Sequence, residues 1–449
     1  MTTPSPREIG GIVDVFGQAV SSQFFEQLQR NLGLPVRQRV YTLPLVIWLM
    51  ISQRLNPKGT LSTAVQGVVQ GPPHQLLPNH KRVREGTVSC HTGACSDARQ
   101  AIPVVVSEKV ADRVLDHLMK TCREALPGWS RRVFILDGSS LEMPHTAELV
   151  DAYPPHPKSH WPVLRLLVAQ ELTTGLAQRP CWGPMYGPKA VSEQALTEII
   201  LDRIPHHSVL MGDINFGVFT VAFAASRRGH DVLFRLQAGR AVAVGRGLTL
   251  KSSLDHEVCW RPSAYERKQH PELPADACVR GRLIVQDVVA SDGSHVTLYL
   301  FTTLGLTAEQ LVQLYGLRWG VETDLRSLKR VVDLQVLRCH SVDMIAKELV
   351  FAIVGYNLVR AVMNEAAEEY GLNPRRLSFS RSQDVVNAAL PGLKAANTPA
   401  EYQLKLRRLL QLVASCKLPD RSKRPPTPRE VWGHGCKFTT RKIKPTTAR

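Results

Sequence analysis

Four side chains in the stretch Tyr315 to Lys329, YGLRWGVETDLRSLK, are spaced to act together. At about 100° per residue, Tyr315, Arg318, Glu322 and Lys329 fall within roughly 60° of arc on one side of a helix. One face then carries an acid between two bases. Leu314, Leu317, Val321, Leu325, Leu328 and Val332 gather on another arc about 100° wide, as a helix with one buried stripe requires. Two further acids, Asp137 and Asp213, each close a short apolar run. Taken singly, such a helix face is a solvated charge stripe, and such an Asp is a turn former or helix cap. Brought to one place, the three carboxylates would offer the oxygen ligands that hard divalent cations take. Arg318 and Lys329 beside them would suit phosphate, the first by a bidentate fork and the second as a point charge.

The elements around these residues must bring distant positions together. Val133 to Leu136 reads as a buried strand delivering Asp137 at its C-terminal tip, and HSVLMGD reads as a second strand ending at Asp213. In a mostly parallel sheet the C-terminal ends of strands share one edge, where the two acids can meet. Between them, VLRLLVAQELTTGL predicts a strand pair turning at Thr173 to Gly175, and an amphipathic helix is expected from Val191 to Ile204. A helix near Phe216 and a strand over Asp231 to Gln237 follow Asp213. Residues 238–290 alternate in short apolar runs, which predicts an inserted β-rich piece rather than one long loop. HVTLYLFTTL returns as a strand ahead of the Tyr315 helix.

The flanks have a different character. Residues 1 to about 125 show apolar recurrence at three and four, broken at Pro57, Gly59 and Gly71-Pro72-Pro73, and so predict a helical region. Residues beyond Leu334 predict helices again, with MIAKELVFAIVGYNLVRAVMNEAAEEYG long and apolar. The expected division is therefore 1–125 helical, 126–237 first catalytic part, 238–290 β-rich insertion, 291–340 second catalytic part, and 341–449 helical with a basic tail. At 449 residues and 44% hydrophobic the chain can bury a large core. The formal net charge of +17 points to a polyanionic partner. From Asn373 onward 17 Lys/Arg face 4 Asp/Glu, so much of the surplus is local. No secretory signal is visible, and the longest apolar run, Leu43 to Ile51, is about half a bilayer span. Nine scattered cysteines fit free thiols in a reducing, cytoplasmic compartment. His156 and His160 lie among prolines and read as loop residues.

The three acidic segments together resemble the motifs of the DDE insertion-sequence transposases, in the Tyr-Arg-Glu-Lys branch known as the insertion sequence four family. DGSSLEMP matches the family's Asp-Gly-Ser/Thr followed shortly by Leu-x-x-Pro, although His145 stands where an acid is common. In DINFG, Asp213 is followed within three residues by the aromatic Phe216. The Tyr, Arg, Glu and Lys spacing, with Trp319 after the Arg and Val321 before the Glu, completes the set.

The resemblance implies a multidomain α/β protein: a ribonuclease H-like mixed sheet with flanking helices, a β-rich insertion, and helical N- and C-terminal regions. It implies Asp137, Asp213 and Glu322 as catalytic ligands of two Mg2+ ions, with Mn2+ able to substitute, and Asp137 bridging both. It also implies Tyr315, Arg318 and Lys329 as DNA-binding residues, with Trp319 either packing or stacking on DNA. The partners it implies are double-stranded DNA at terminal inverted repeats and at a target, and a second copy of the chain in the DNA complex, with no membrane. The reaction would be cut-and-paste transposition in a prokaryotic, nucleoid-associated setting. Two alternatives stay open at this point: a domesticated DNA-binding protein that has lost the reaction, and another ribonuclease H-like nuclease.

Overall fold

A computed structural model of the chain describes residues 11–35, 40–56, 59–70, 76, 80–122, 131–289, 295–320 and 337–419. Helices come first: α1 (Ile12–Ala19), α2 (Ser22–Asn31), α3 (Leu43–Leu55), α4 (Leu61–Val69), α5 (Lys81–Arg84), α6 (Gly93–Gln100) and α7 (Val104–Thr121). Ser21 and Thr60 cap α2 and α4 by accepting the Phe24 and Thr63 amides. Helix α3 begins with Pro44 in its first turn and is buried continuously from Leu45 to Ile51, which is why its sequence lacks an amphipathic pattern.

The sheet then assembles from β1 (Val133–Glu142), β2 (Val163–Glu171), β3 (Cys181–Pro184), β4 (Val209–Gly212), β5 (Asp231–Arg235), β6 (Leu254–Trp260), β7 (Val279–Val289) and β8 (His295–Thr302). Helices α8 (Ala147–Ala152), α9 (Glu193–Leu201), α10 (Phe219–Arg227), α11 (Ala238–Val244) and α12 (Ala264–Gln269) lie between strands, and α13 (Ala308–Gly316) follows the last of them. The last elements among the described residues are α14 (Val342–Glu369), α15 (Phe379–Lys394) and α16 (Pro399–Ser415).

The strand order is β3-β2-β1-β4-β5-β8-β7-β6. Only β1, β4 and β5 run parallel; every other neighbouring pair is antiparallel. A β3-β2-β1-β4-β5 order, with an antiparallel meander passing into a parallel centre and helices on both faces, is the ribonuclease H-like arrangement. Strands β6 and β7, from the segment between Asp213 and Glu322, extend that same sheet: β7 pairs along its length with β8. The outer edge is guarded by Asp255, His256 and Glu257, all exposed on β6, as an edge strand needs to discourage pairing with another chain.

Alternation along the strands sorts the core. Phe134, Leu136, Leu210, Val232 and Phe234 point to one face and pack under α9 and α10. Val133, Ile135, Val209, Met211 and Leu233 point to the other, against Leu311, Leu314 and Tyr315 of α13. On that second face, β2 contributes Leu164, Leu166 and Val168 to a large core shared by the N-terminal helices and α14 to α16. Helix α14 is buried almost throughout, with Ile345, Leu349, Phe351, Val359 and Val362 at 0–1% exposure. Each such side chain contributes about 2 kcal/mol of burial, so this helix joins the flanking helices to the sheet. Its interior also carries Lys347, Glu348, Asn357 and Arg360, and no helix among the described residues is long and apolar enough to cross a membrane.

Several expectations shift in detail. β1 does not end at Asp137 but runs on to Glu142, because antiparallel β2 continues to pair with it after parallel β4 has stopped. The helix after Asp213 starts at Phe219, three residues later than the aromatic at Phe216. The helix carrying Tyr315 begins at Ala308, with Thr307 and Gln310 forming a reciprocal capping box. It ends at Gly316 and gives way to a 3-10 turn, Leu317–Gly320. The tighter turn takes Leu317 off the apolar stripe, leaving it 48% exposed. Glu322, Lys329 and the basic tail from residue 420 lie outside the described residues, as does the side chain of Trp319.

Candidate active site

The parallel ladder between β1 and β4 pairs Val133 with Val209, Phe134 with Leu210 and Ile135 with Met211. The ladder stops there, and Asp137 and Asp213 each follow the last paired residue of their strand by two. Asp137 shares the parity of Ile135 within β1 and so faces the α13 side of the sheet, and Asp213, one residue past the end of β4, is felt electrostatically at Tyr315 of α13. Both are half-buried. Past Ile135, β1 keeps its bonds to β2, with Asp137 opposite Val168, but loses β4 as a partner. The two acids therefore sit where the sheet opens between diverging strands.

The turn after β4 fixes Asp213. Its Oδ1 accepts the Asn215 amide at 2.9 Å, and its carbonyl accepts the Phe216 and Gly217 amides, both at 3.1 Å. Phe216 is buried at 1% exposure beneath the opposite face. A Cβ on Gly212 would come within 2.6 Å of the Phe216 Cβ, and one on Gly217 would overlap the Arg235 carbonyl oxygen. The glycines of this motif are thus needed for backbone closeness. Helix α9 steadies the same turn, since Gln194 donates to the Asn215 carbonyl at 2.8 Å. Arg240 of α11 donates to the Gly217 carbonyl at 2.6 Å. On β1, a Cβ on Gly138 would meet the Glu193 carboxyl in the first turn of α9.

Helix α13 carries Tyr315 to the same place. Its ring is 1% exposed, packed with Leu311 and Leu314 over Met211 and Leu233. This burial removes the ring from base stacking in the described state. Burial also pushes the phenol above its ordinary pKa, with Arg318 and Arg235 drawing it down and Asp213 pushing it up. The hydroxyl is therefore within electrostatic reach of those three charges. Arg318 places its guanidinium carbon 5.6 Å from the Tyr315 ring centroid.

The segment bearing Glu322 and Lys329 is held where it leaves the described structure and where it returns. Tyr315 anchors the first side. On the second, Leu337 is buried at 4% exposure, and the Glu348 carboxylate of α14 accepts the Arg338 amide at 3.1 Å and the Cys339 amide at 3.0 Å. Glu348 also forms a 2.9 Å ion pair with Arg54 of α3, both nearly fully buried.

The structure thus puts Asp213 and Arg318 within electrostatic reach of the Tyr315 hydroxyl and Asp137 on the same side of the sheet, while Glu322, Lys329 and the Trp319 side chain lie outside the described residues. Among the described residues no group of three His, Cys, Asp or Glu is placed to hold a metal ion. Two half-buried carboxylates on one face nonetheless have the hard-oxygen chemistry that Mg2+ or Mn2+ takes. Sequence reading missed Arg235. It follows the last β4–β5 pair, Gly212–Phe234, by one residue and pairs with Leu300 on the α13 face, and only the strand pairing reveals that. Glu193, Gln194 and Arg240, which hold the loops, carry no sequence signal of that task.

No curated protein matches the chain. Among solved structures it is similar to a chain in the cryo-EM structure of a piggyBac transposase synaptic complex with hairpin DNA. The identity is 12%, over 96% of this chain and 90% of that one, with a TM-score of 0.42. A model of the transposase DDE domain matches residues 128–358, just over half of the chain and a span that holds Asp137, Asp213 and the Tyr315 to Lys329 stretch. The chain belongs to the transposase DDE domain family.

Proposed function

We propose that this transposase carries out cut-and-paste movement of an insertion sequence and belongs to the Tyr-Arg-Glu-Lys branch. The observation that supports the reading is that Asp137 and Asp213 each follow by two the last pair of the parallel β1–β4 ladder, Ile135–Met211, on the side of the sheet where α13 delivers Tyr315. Glu322 follows Tyr315 by seven residues, a length of chain that reaches at most about 25 Å. Asp137, Asp213 and Glu322 would hold a pair of Mg2+ ions, or Mn2+ in their place. Bound there, the ions would activate water or a 3'-hydroxyl and stabilise the leaving oxygen in an in-line phosphoryl transfer. Arg318 and Lys329 would bind the phosphates on either side of the cut by charge-assisted hydrogen bonds. Tyr315 would act through its hydroxyl, since its ring is buried.

In this reading the N-terminal helices grip an element end and the basic C-terminal segment adds phosphate contacts. Residues 126–237 and 291–340 form the catalytic parts around the 238–290 insertion. The DNA partners are the terminal inverted repeats and a target duplex, and two copies of the chain pair the ends in a nucleoid-associated complex. The test uses a plasmid carrying the DNA that flanks the coding frame on both sides. The wild-type protein should nick it at defined positions only with Mg2+ or Mn2+. Asp137→Asn, Asp213→Asn and Glu322→Gln should each lower nicking by about 10³-fold or more while still shifting the DNA on a gel. Binding without nicking by the wild type would leave a DNA-binding protein that has lost the reaction, and nicking at normal rate by any of the three variants would remove the site assignment.

A further inference from the structure

A basic residue shares the acids' side of the sheet. Strands β4 and β5 pair from Val209–Asp231 to Gly212–Phe234, and Asp213 and Arg235 are the residues that follow that last pair. Arg235 also pairs with Leu300 of β8, whose side chain belongs to the α13 face, so two ladders place Arg235 on the same side as the acids. Its charge is felt at the Tyr315 hydroxyl. Its backbone is locked, because Gly217 of the Asp213 turn lies directly against its carbonyl.

Among the described residues the Arg235 guanidinium makes no hydrogen bond and no ion pair. Asp213, one strand away, also pairs with no base among them, and its carboxylate takes only the Asn215 amide. An arginine kept simply to neutralise Asp213 would reach it. Half-buried on the acids' side of the sheet, it is instead kept for an anion that arrives with the substrate. The planar fork suits two oxygens of one phosphate better than a point charge would. Asp213 separates it from Asp137, so the phosphate it meets is the neighbour of the scissile one on the β5 side.

We propose that Arg235 is a DNA-binding residue of the active site that clamps the backbone phosphate adjoining the cut, on the side of Asp213 away from Asp137. This rests on the DNA-cleavage reading given above, and the experiment separates the two. With the cleavage position mapped on the flanking-DNA plasmid by the wild type, synthetic duplexes are made with a neutral methylphosphonate at the scissile phosphate's neighbour on each side in turn. The wild type, Arg235→Ala and Arg235→Lys are compared on each duplex with Mg2+. Arg235→Ala should cleave the unmodified duplex about 10²-fold more slowly, the size of effect expected for losing one preorganised donor. Arg235→Lys should recover part of that loss.

The decisive comparison is that one of the two neutral phosphates slows the wild type about 10²-fold yet slows Arg235→Ala hardly further. If both neutral phosphates slow Arg235→Ala as much as the wild type, or if Arg235→Ala cleaves at the wild-type rate, the clamp is overturned. Should Arg235→Ala fail to fold, Arg235→Lys carries the same comparison, with the clamp requiring a smaller methylphosphonate effect than in the wild type. Failure of the wild type to cleave any duplex would sink the cleavage reading itself, a result distinct from all of these.

Discussion

Replacing Glu348 tests how the Glu322-bearing segment is tethered. Glu348 is 5% exposed and Arg54 6% exposed. One carboxylate closes their 2.9 Å ion pair and accepts the amides of Arg338 and Cys339. Removing it with Glu348→Ala leaves a buried guanidinium uncompensated, which costs about 3–5 kcal/mol. The two amide bonds are part of the same loss and do not add to it independently. Glu348→Gln keeps the shape and one acceptor oxygen and should cost about 2 kcal/mol. The double variant Arg54→Met with Glu348→Leu replaces the pair by apolar groups and should recover at least half of the alanine loss. Urea unfolding followed by circular dichroism reads these differences, and hydrogen exchange at residues 338 and 339 reads the local release. If Glu348→Ala stays within about 0.5 kcal/mol of the wild type and exchange at both amides is unchanged, the tether does not exist as described.

Other outcomes follow from the same geometry. Asp213→Asn keeps an acceptor oxygen for the Asn215 amide and should therefore hold the thermal midpoint while abolishing nicking; a fall of several degrees would show the acid to be structural. Gly138→Ala should stay within about 1 kcal/mol of the wild type in the same urea assay, because its Cβ would meet the flexible end of the Glu193 side chain, which can swing aside; a loss above about 3 kcal/mol would contradict this. His230 is buried, and its pKa is lowered chiefly by that burial, with His206, Arg228 and His207 lowering it further. Its unfolded value is about 6.5, so its stabilising contribution is complete above that pH and is lost as pH falls through the lower folded value. His230→Phe should therefore flatten the acid side of the stability–pH curve; an unchanged slope would contradict the assignment.

The parts of the fold written in local pattern were legible from the sequence alone. The apolar run Val133 to Leu136, the alternation in β8 and the three-and-four spacing of the N-terminal and C-terminal helices each reflect burial of one or two faces. What local pattern cannot carry is pairing. β1 passes through Asp137 because β2 continues beside it, and no residue near Asp137 signals a strand more than thirty positions away. Arg235 escaped notice for the same reason, since DVLFR reads as any buried strand until its register against Asp213 is known. The start of α13 was legible in Thr307 and Gln310, yet the charged face beyond it drew the eye to Tyr315. The switch to a 3-10 turn at Leu317, which exposes a leucine that periodicity would bury, has no marker other than the glycines around it. The order of the acidic motifs, by contrast, was fully present in the chain, and it led to the family before any strand was paired.

The account rests on Asp137, Asp213 and Glu322 meeting around shared cations. Substituting Fe2+ for Mg2+ and adding ascorbate and peroxide generates hydroxyl radicals at a bound ion, which cut the nearby polypeptide. Mapping the fragments should show cuts close to residues 137, 213 and 322 together, suppressed by excess Mg2+ and lost in Asp137→Asn. Cuts clustered elsewhere, or cuts near 137 and 213 with none around 322 even when flanking DNA is bound, would contradict the shared metal site.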